Sequence, residues 1–317
     1  MTMAASGLGR TVTGLAAAVG LVAALLGCSR DGEPQVSPFT GRTVTDPSPV
    51  LAVKVDNVPV ARPPTGLSVA DLVYVEPVEG GASRLLAVFS AQRPQVVGPV
   101  RSARESDIEL LASFGRPALG YSGSAPELAD RLRDSSLVLL TPERTDDAFF
   151  RSDDRAAPHN LYGRPERLLA AARDASKPRD IGLRFGPAPA GGQPTTSHDV
   201  AYSATRMSFD WQSGSGRWLV SFDGQPLTLA EGGQAVATTV VVQRVAVRQS
   251  AISDVLGLPS PVAQTIGSGD AVVLRDGMSY QARWSRNAAD AGTSFTLPSG
   301  DPALLATGPV WIVLAPA

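Results

Sequence analysis

A run of prolines and glycines at residues 177–197 constrains the fold of this 317-residue chain more than any other feature. Pro178, Pro187, Pro189 and Pro194 remove backbone donors, and Gly182, Gly186, Gly191 and Gly192 favour turns. Neither a helix nor a central strand is expected to cross such a run. On its N-terminal side, short apolar runs at 50–55, 72–75, 85–89, 117–121 and 137–140 read as strands. Helix signals alternate with them at 105–114, from about 124 to 133, and at 166–175, where Pro165 occupies the first turn. On the C-terminal side the texture is strand alone, and Asp276-Gly277 is a two-residue hairpin turn between the strands 271–275 and 278–286. The expected fold class is α+β. A mixed α/β layer domain spans 50–180, a connector 181–199, and a mainly antiparallel β domain or small barrel 200–317.

The first 27 residues read as a lipoprotein signal peptide. Arg10 supplies positive charge, and the apolar run 15–26 is shorter than the about 20 residues that span a bilayer. Leu25-Leu26-Gly27-Cys28 fits a lipobox, with cleavage before Cys28 and lipid on its sulfur. Cys28 is also the only cysteine, so lipidation accounts for an unpaired thiol in an exported protein. Several acyl chains, at about 0.8 kcal/mol per buried CH₂, make a stable anchor. The expected location is the outer face of the cytoplasmic membrane. Residues 28–49 hold four prolines and read as a flexible tether. Fully extended at about 3.3 Å per residue, it would reach about 70 Å.

Candidate site residues concentrate at strand ends and in loops of the first domain, where α/β folds place clefts. They are Asp56, Asn57, Arg62, Glu76, Glu79, Arg84, Arg101, Ser102, Arg104, His159 and Asn160. Ser102 with Glu105, and Ser124 with Glu127, have the spacing of a capping box. Arg101 and Arg104 then stand at a helix start, where free N–H groups already favour anions. Gly80-Gly81 is expected to make a positive-φ turn that puts Glu79 and Arg84 on one short connection. The expected result is an anion-binding cleft. Each residue also has a plainer reading: Asp56 and Asn57 as turn caps, Glu79 as the partner of Arg84 or Arg101, His159 as a buried turn residue.

Several of these residues fall in segments that occur together and in one order: Asp56-Asn57, Arg62-Pro63, Gly66-Leu67-Ser68, Ala70-Asp71, Glu79-Gly80-Gly81, residues 98–104 (GPVRSAR) and Ala157-Pro158-His159-Asn160. With them the chain resembles the YerB-like family of bacterial surface lipoproteins, from about residue 37 to the C-terminus. The resemblance implies a surface location and a two-domain layout, and supplies no established chemistry.

Other chemistries lack their motifs. There is no Walker loop, no G-x-S-x-G elbow and no H-E-x-x-H, and the two histidines and one cysteine are too few for a multi-His or Cys-rich metal site. No cofactor or metal is expected. A net charge of −2 and an aromatic content of 6% give no reason to expect nucleic acid. Trp211, Trp218, Trp284 and Trp311 read as sheet-packing residues. Two functions remain. One is a binding or scaffolding lipoprotein that engages an envelope protein or an anionic envelope ligand. The other is an enzyme on a phosphate-bearing envelope substrate, with Arg62, Arg101 and Arg104 stabilising charge and His159 or Glu79 as acid or base.

Overall fold

The computed structural model describes residues 34–317 except 146, 255 and 256. The signal peptide and the lipidation expected at Cys28 lie outside the described residues.

Among those residues the chain builds one sheet of eleven strands that runs through both halves of the sequence. From one edge the order is Gln193–Pro194, Met278–Arg286, Gly267–Arg275, Thr239–Val245, Val310–Pro316, Leu72–Pro77, Ser83–Phe89, Leu51–Asp56, Ala118–Gly120 and Val138–Leu140. Ser294–Thr296 pairs onto Met278–Arg286 at the side. The chain's last strand therefore sits in the middle. Val310–Pro316 runs parallel to Thr239–Val245 on one flank and to Leu72–Pro77 on the other. Such a strand is buried on both faces and reads as an unbroken apolar run; Val310, Trp311, Ile312, Val313 and Leu314 are all buried.

Alternation along the strands gives the sheet two apolar faces. One packs against a separate five-stranded sheet of Ser197–Ala201, Arg206–Gln212, Arg217–Phe222, Gln225–Pro226 and Val236–Ala237, through Met207, Phe209, Trp218, Val220 and Phe222. Trp218, Trp284 and Trp311 are buried, and Trp211 lies 5.4 Å from Trp218 between ring centres. The other face carries helix α1 (Glu105–Ala112), with Leu110, Leu111 and Phe114 against Leu86, Tyr74 and Leu119. Helices α2 (Ala129–Arg133) and α3 (Pro165–Ala171) have 5 and 7 residues. Strand predominates throughout, and the C-terminal part is mainly β.

Two spacers of the sequence reading are packed structure. Within the expected tether, Gln35–Val36 pairs with Thr43–Val44, and Phe39 is 0% exposed, its ring 5.3 Å from that of Phe114. One large aromatic side chain with a cavity to fill overrides the proline-rich composition. The connector is likewise docked: Ile181 and Leu183 are buried, and Gln193–Pro194 forms the outermost strand of the large sheet. The C-terminal strands, expected as a domain of their own, join the N-terminal ones edge to edge.

Candidate functional site

On the face that carries α1, the strands change from apolar to ionisable as they reach one end of the sheet. Lys54 and Asp56 come from one strand, Glu76 from another, and Arg84 from the strand between them, in register with both Asp56 and Glu76. These groups separate into an inner cluster and an outer one.

The inner cluster lies under the start of α1. Lys54 Nζ is 2.7 Å from Asp107 Oδ1 and 2.9 Å from Glu76 Oε1, and all three residues are at most 1% exposed. One cation thus faces two carboxylates in a dry site. Burial above all, and then the charge of Asp107, pushes the Glu76 carboxyl up to about 7 despite Lys54. Glu76 belongs to this triad and not to a cleft, which corrects the expectation. The sequence signal was Lys54 itself, a lysine inside an apolar strand.

The outer cluster opens to solvent. The turn between Leu72–Pro77 and Ser83–Phe89 uses Gly80 at φ 67° and Gly81 at φ 72°. A Cβ on Gly81 would lie 1.9 Å from Ser203 Oγ, so glycine is required there. This turn delivers Glu79, whose carboxylate accepts Arg104 Nε at 2.6 Å and Nη2 at 2.7 Å. Ser260 Oγ donates to the same carboxylate. Although half-burial opposes it, these donors hold Glu79 down to about 2. Glu79 therefore pairs with Arg104 rather than with Arg84 or Arg101.

Arg101 Nε lies 3.1 Å from Asp56 Oδ2, which is also 2.8 Å from His159 Nδ1. Asp56 is 1% exposed and forms the hub of that group. Arg84 is the exception. It is 9% exposed, its only hydrogen bond among the described residues is a 3.4 Å contact from Nη1 to the Ser102 carbonyl, and its Nε has no acceptor there. Burial and then the charge of Arg104 draw its guanidinium down to about 10, so it is still a cation at neutral pH.

Arg84, Arg101 and Arg104 face a recess of about 310 Å³ with Glu79, Ser102, Glu105, the 124–128 segment and Ile252, Ser253, Asp254 and Ser260. Of the three guanidiniums in its lining, Arg104 is paired with Glu79, and Arg101 with Asp56, which lies outside the lining.

The capping boxes differ from expectation. Helix α1 begins at Glu105 with Arg104 as N-cap, and Asp107 Oδ2 accepts the Arg104 N–H at 2.6 Å. Ser102 lines the recess instead, and Glu105 is buried against Ser250, Arg131 and Arg248. Ser124 and Glu127 form no box either, since Ala125 precedes the short 3-10 turn Pro126–Leu128.

Five other expected members stand apart from the recess, Asp56 among them as the buried partner of Arg101. Asn57 donates to Ser83 Oγ at 2.8 Å and accepts from Arg62. Arg62 stacks over Phe222, 5.0 Å from its ring centre, and pairs with Asp223 at 3.0 Å. Asn160 ties Arg151 to the Ser152 carbonyl in the hairpin Phe149–Arg151/Leu161–Gly163. His159 reaches the recess only through Asp56. Residues that sequence reasoning missed come from the hairpin Val247–Ser253/Pro259–Ala263, which supplies Ser250, Ser253 and Ser260 from about 150 residues further along the chain than Arg101. No local pattern linked them to it.

Comparison with known proteins finds two matching family models. The model described as the N-terminal domain of a protein of unknown function (DUF3048) matches residues 39–178, and its C-terminal counterpart matches residues 198–312. YerB of Bacillus subtilis (strain 168), described as a candidate lipoprotein, is 38% identical over 141 residues, which is 43% of this chain and 42% of that protein. The matched segment thus spans less than half of this relative. The crystal structure of the YerB protein from Bacillus subtilis superposes with a TM-score of 0.75 at 23% identity, over 89% of this chain and 97% of that one. That likeness establishes a shared fold.

Proposed function

This chain belongs to the two-domain DUF3048 family, and we propose that it is a membrane-anchored envelope lipoprotein that binds an anionic group in the recess beside Arg84. The observation that carries the binding reading is Arg84 itself. A buried cation normally has a carboxylate or several acceptors, whereas this one feels Glu79 and Asp56 only from beyond ion-pair distance and makes a single long hydrogen bond among the described residues. A phosphate or carboxylate seated between Arg84 and Arg101 would supply the missing acceptors. The start of α1 adds partial positive charge.

Attachment rests on Leu25-Leu26-Gly27-Cys28 and on the lipoprotein description of the Bacillus relative. Cys28→Ser is expected to leave the precursor unprocessed or release the protein from the membrane fraction. Unchanged migration and fractionation of that variant would sink the anchor.

Binding is tested by calorimetric titration of inorganic phosphate at constant ionic strength. The wild-type protein is expected to saturate at millimolar concentration or below, which corresponds to at least about 4 kcal/mol. Arg84→Met should abolish the heat of binding while leaving thermal stability unchanged or higher, because an apolar side chain of similar length replaces a poorly satisfied buried charge. A variant that binds normally, or that loses about 3–5 kcal/mol of stability as when a buried pair is broken, would make Arg84 a structural residue.

The enzymatic reading has one feature in its favour. Asp56 holds His159 Nδ1 at 2.8 Å, an arrangement that leaves the other ring nitrogen for proton transfer. His159 does not line the recess, however. Binding without turnover is the reading we adopt.

A further inference from the structure

The lining of the recess carries both signs of charge. Arg84 is buried and Arg101 half-buried, while Glu127 in the same lining is exposed. Glu127 is exposed, and among the described residues it makes no ion pair. Its natural partner would be Arg131, one helical turn on. Arg131 turns the other way, with Nη1 2.8 Å from Glu105 Oε1, beside Arg248 on the same carboxylate. The volume of about 310 Å³ also exceeds what a bare anion fills; at about 30 Å³ per water it corresponds to about ten waters.

Building on the anion-binding reading, we propose that the ligand is zwitterionic, a phosphate or carboxylate with an ammonium a few bonds away. The anionic end lies on Arg84 and Arg101, and the ammonium lies at Glu127. Such a ligand meets both signs of charge in the lining at once. Glu79 and Glu105 in the same lining are already held by arginines, so Glu127 is the exposed carboxylate that sets the preference.

The test compares two small probes that differ by one ammonium group, O-phosphoethanolamine and ethyl phosphate, titrated into wild-type protein and Glu127→Gln. Glu127 is exposed, so the variant keeps the fold. We expect wild type to bind O-phosphoethanolamine about fivefold more tightly than ethyl phosphate, the scale of one favourable ion pair at a partly exposed site. Glu127→Gln should keep its ethyl phosphate affinity and lose the preference. Equal affinities in wild type, or a preference that survives in Glu127→Gln, would overturn the zwitterion while leaving the anion site intact. No binding of either probe, with inorganic phosphate also silent, would overturn both readings.

Discussion

A chain ended at Gly308 is expected to lose its cooperative unfolding transition altogether. The missing segment contains Val310–Pro316, the strand that joins Thr239–Val245 to Leu72–Pro77. Its five large side chains, Val310, Trp311, Ile312, Val313 and Leu314, are each at most 2% exposed. At about 1.5–3 kcal/mol per fully buried apolar side chain, their loss removes about 10 kcal/mol. That is comparable to the whole stability of about 5–15 kcal/mol typical of folded proteins. Two strands would also be left with open edges in the middle of a sheet. Thermal melts followed by circular dichroism check the outcome. A truncated chain that melts in one transition near the wild-type temperature would mean that the two family segments fold independently after all.

The second large effect is expected at Lys54. Lys54→Met leaves Glu76 and Asp107, 1% and 0% exposed, without their cation. Breaking a buried ion pair on one side costs about 3–5 kcal/mol, so urea denaturation at pH 7 should show a loss of that size. Glu76→Gln should act in the opposite direction at pH 8, because it leaves Lys54 and Asp107 as a neutral pair. The pH dependence follows from the sign of the shift. The Glu76 carboxyl titrates near 7 in the folded chain against 4.5 as its ordinary value. The folded state therefore holds its proton to higher pH, and stability declines as pH rises from about 4.5 through about 7. Asp71, pushed up to about 6 mainly by burial, adds to the same decline. Comparing wild type with Glu76→Gln across pH 5–8 isolates the Glu76 share. A Lys54→Met variant within about 1 kcal/mol of wild type would contradict the triad.

How much was legible beforehand differs between fold and site. The strands Leu51–Asp56, Leu72–Pro77, Ser83–Phe89 and Met278–Arg286 stood out because each is a short apolar or alternating run bounded by turn residues. Their assembly did not stand out. Nothing local says that Val310–Pro316 inserts beside Leu72–Pro77, since pairing across more than two hundred residues leaves no periodic trace in either strand. Proline content likewise misread 34–49 as spacer, where Phe39 has a tertiary pocket.

For the candidate site, the Glu79-Gly80-Gly81 turn and the Arg101–Arg104 segment were placed by short-range chemistry, and both line the recess. Pairing within it was not readable. Glu79 is nearer in sequence to Arg84 than to Arg104, yet it takes the latter in a bidentate contact that Arg84, in register between Asp56 and Glu76, does not make. The hairpin Val247–Ser253/Pro259–Ala263 closes the recess from the other half of the chain, with Ser260 on Glu79 and Ser250 on Glu105. Its serines carried no signal of their own.

The most direct measurement is to locate an anion. Crystals of the protein soaked in tungstate, an anomalous scatterer with the shape of phosphate, are expected to show a peak within hydrogen-bonding distance of the Arg84 and Arg101 guanidiniums, absent from Arg84→Met crystals. An unoccupied recess at saturating tungstate, or a carboxylate of the chain itself folded onto Arg84, would contradict the account.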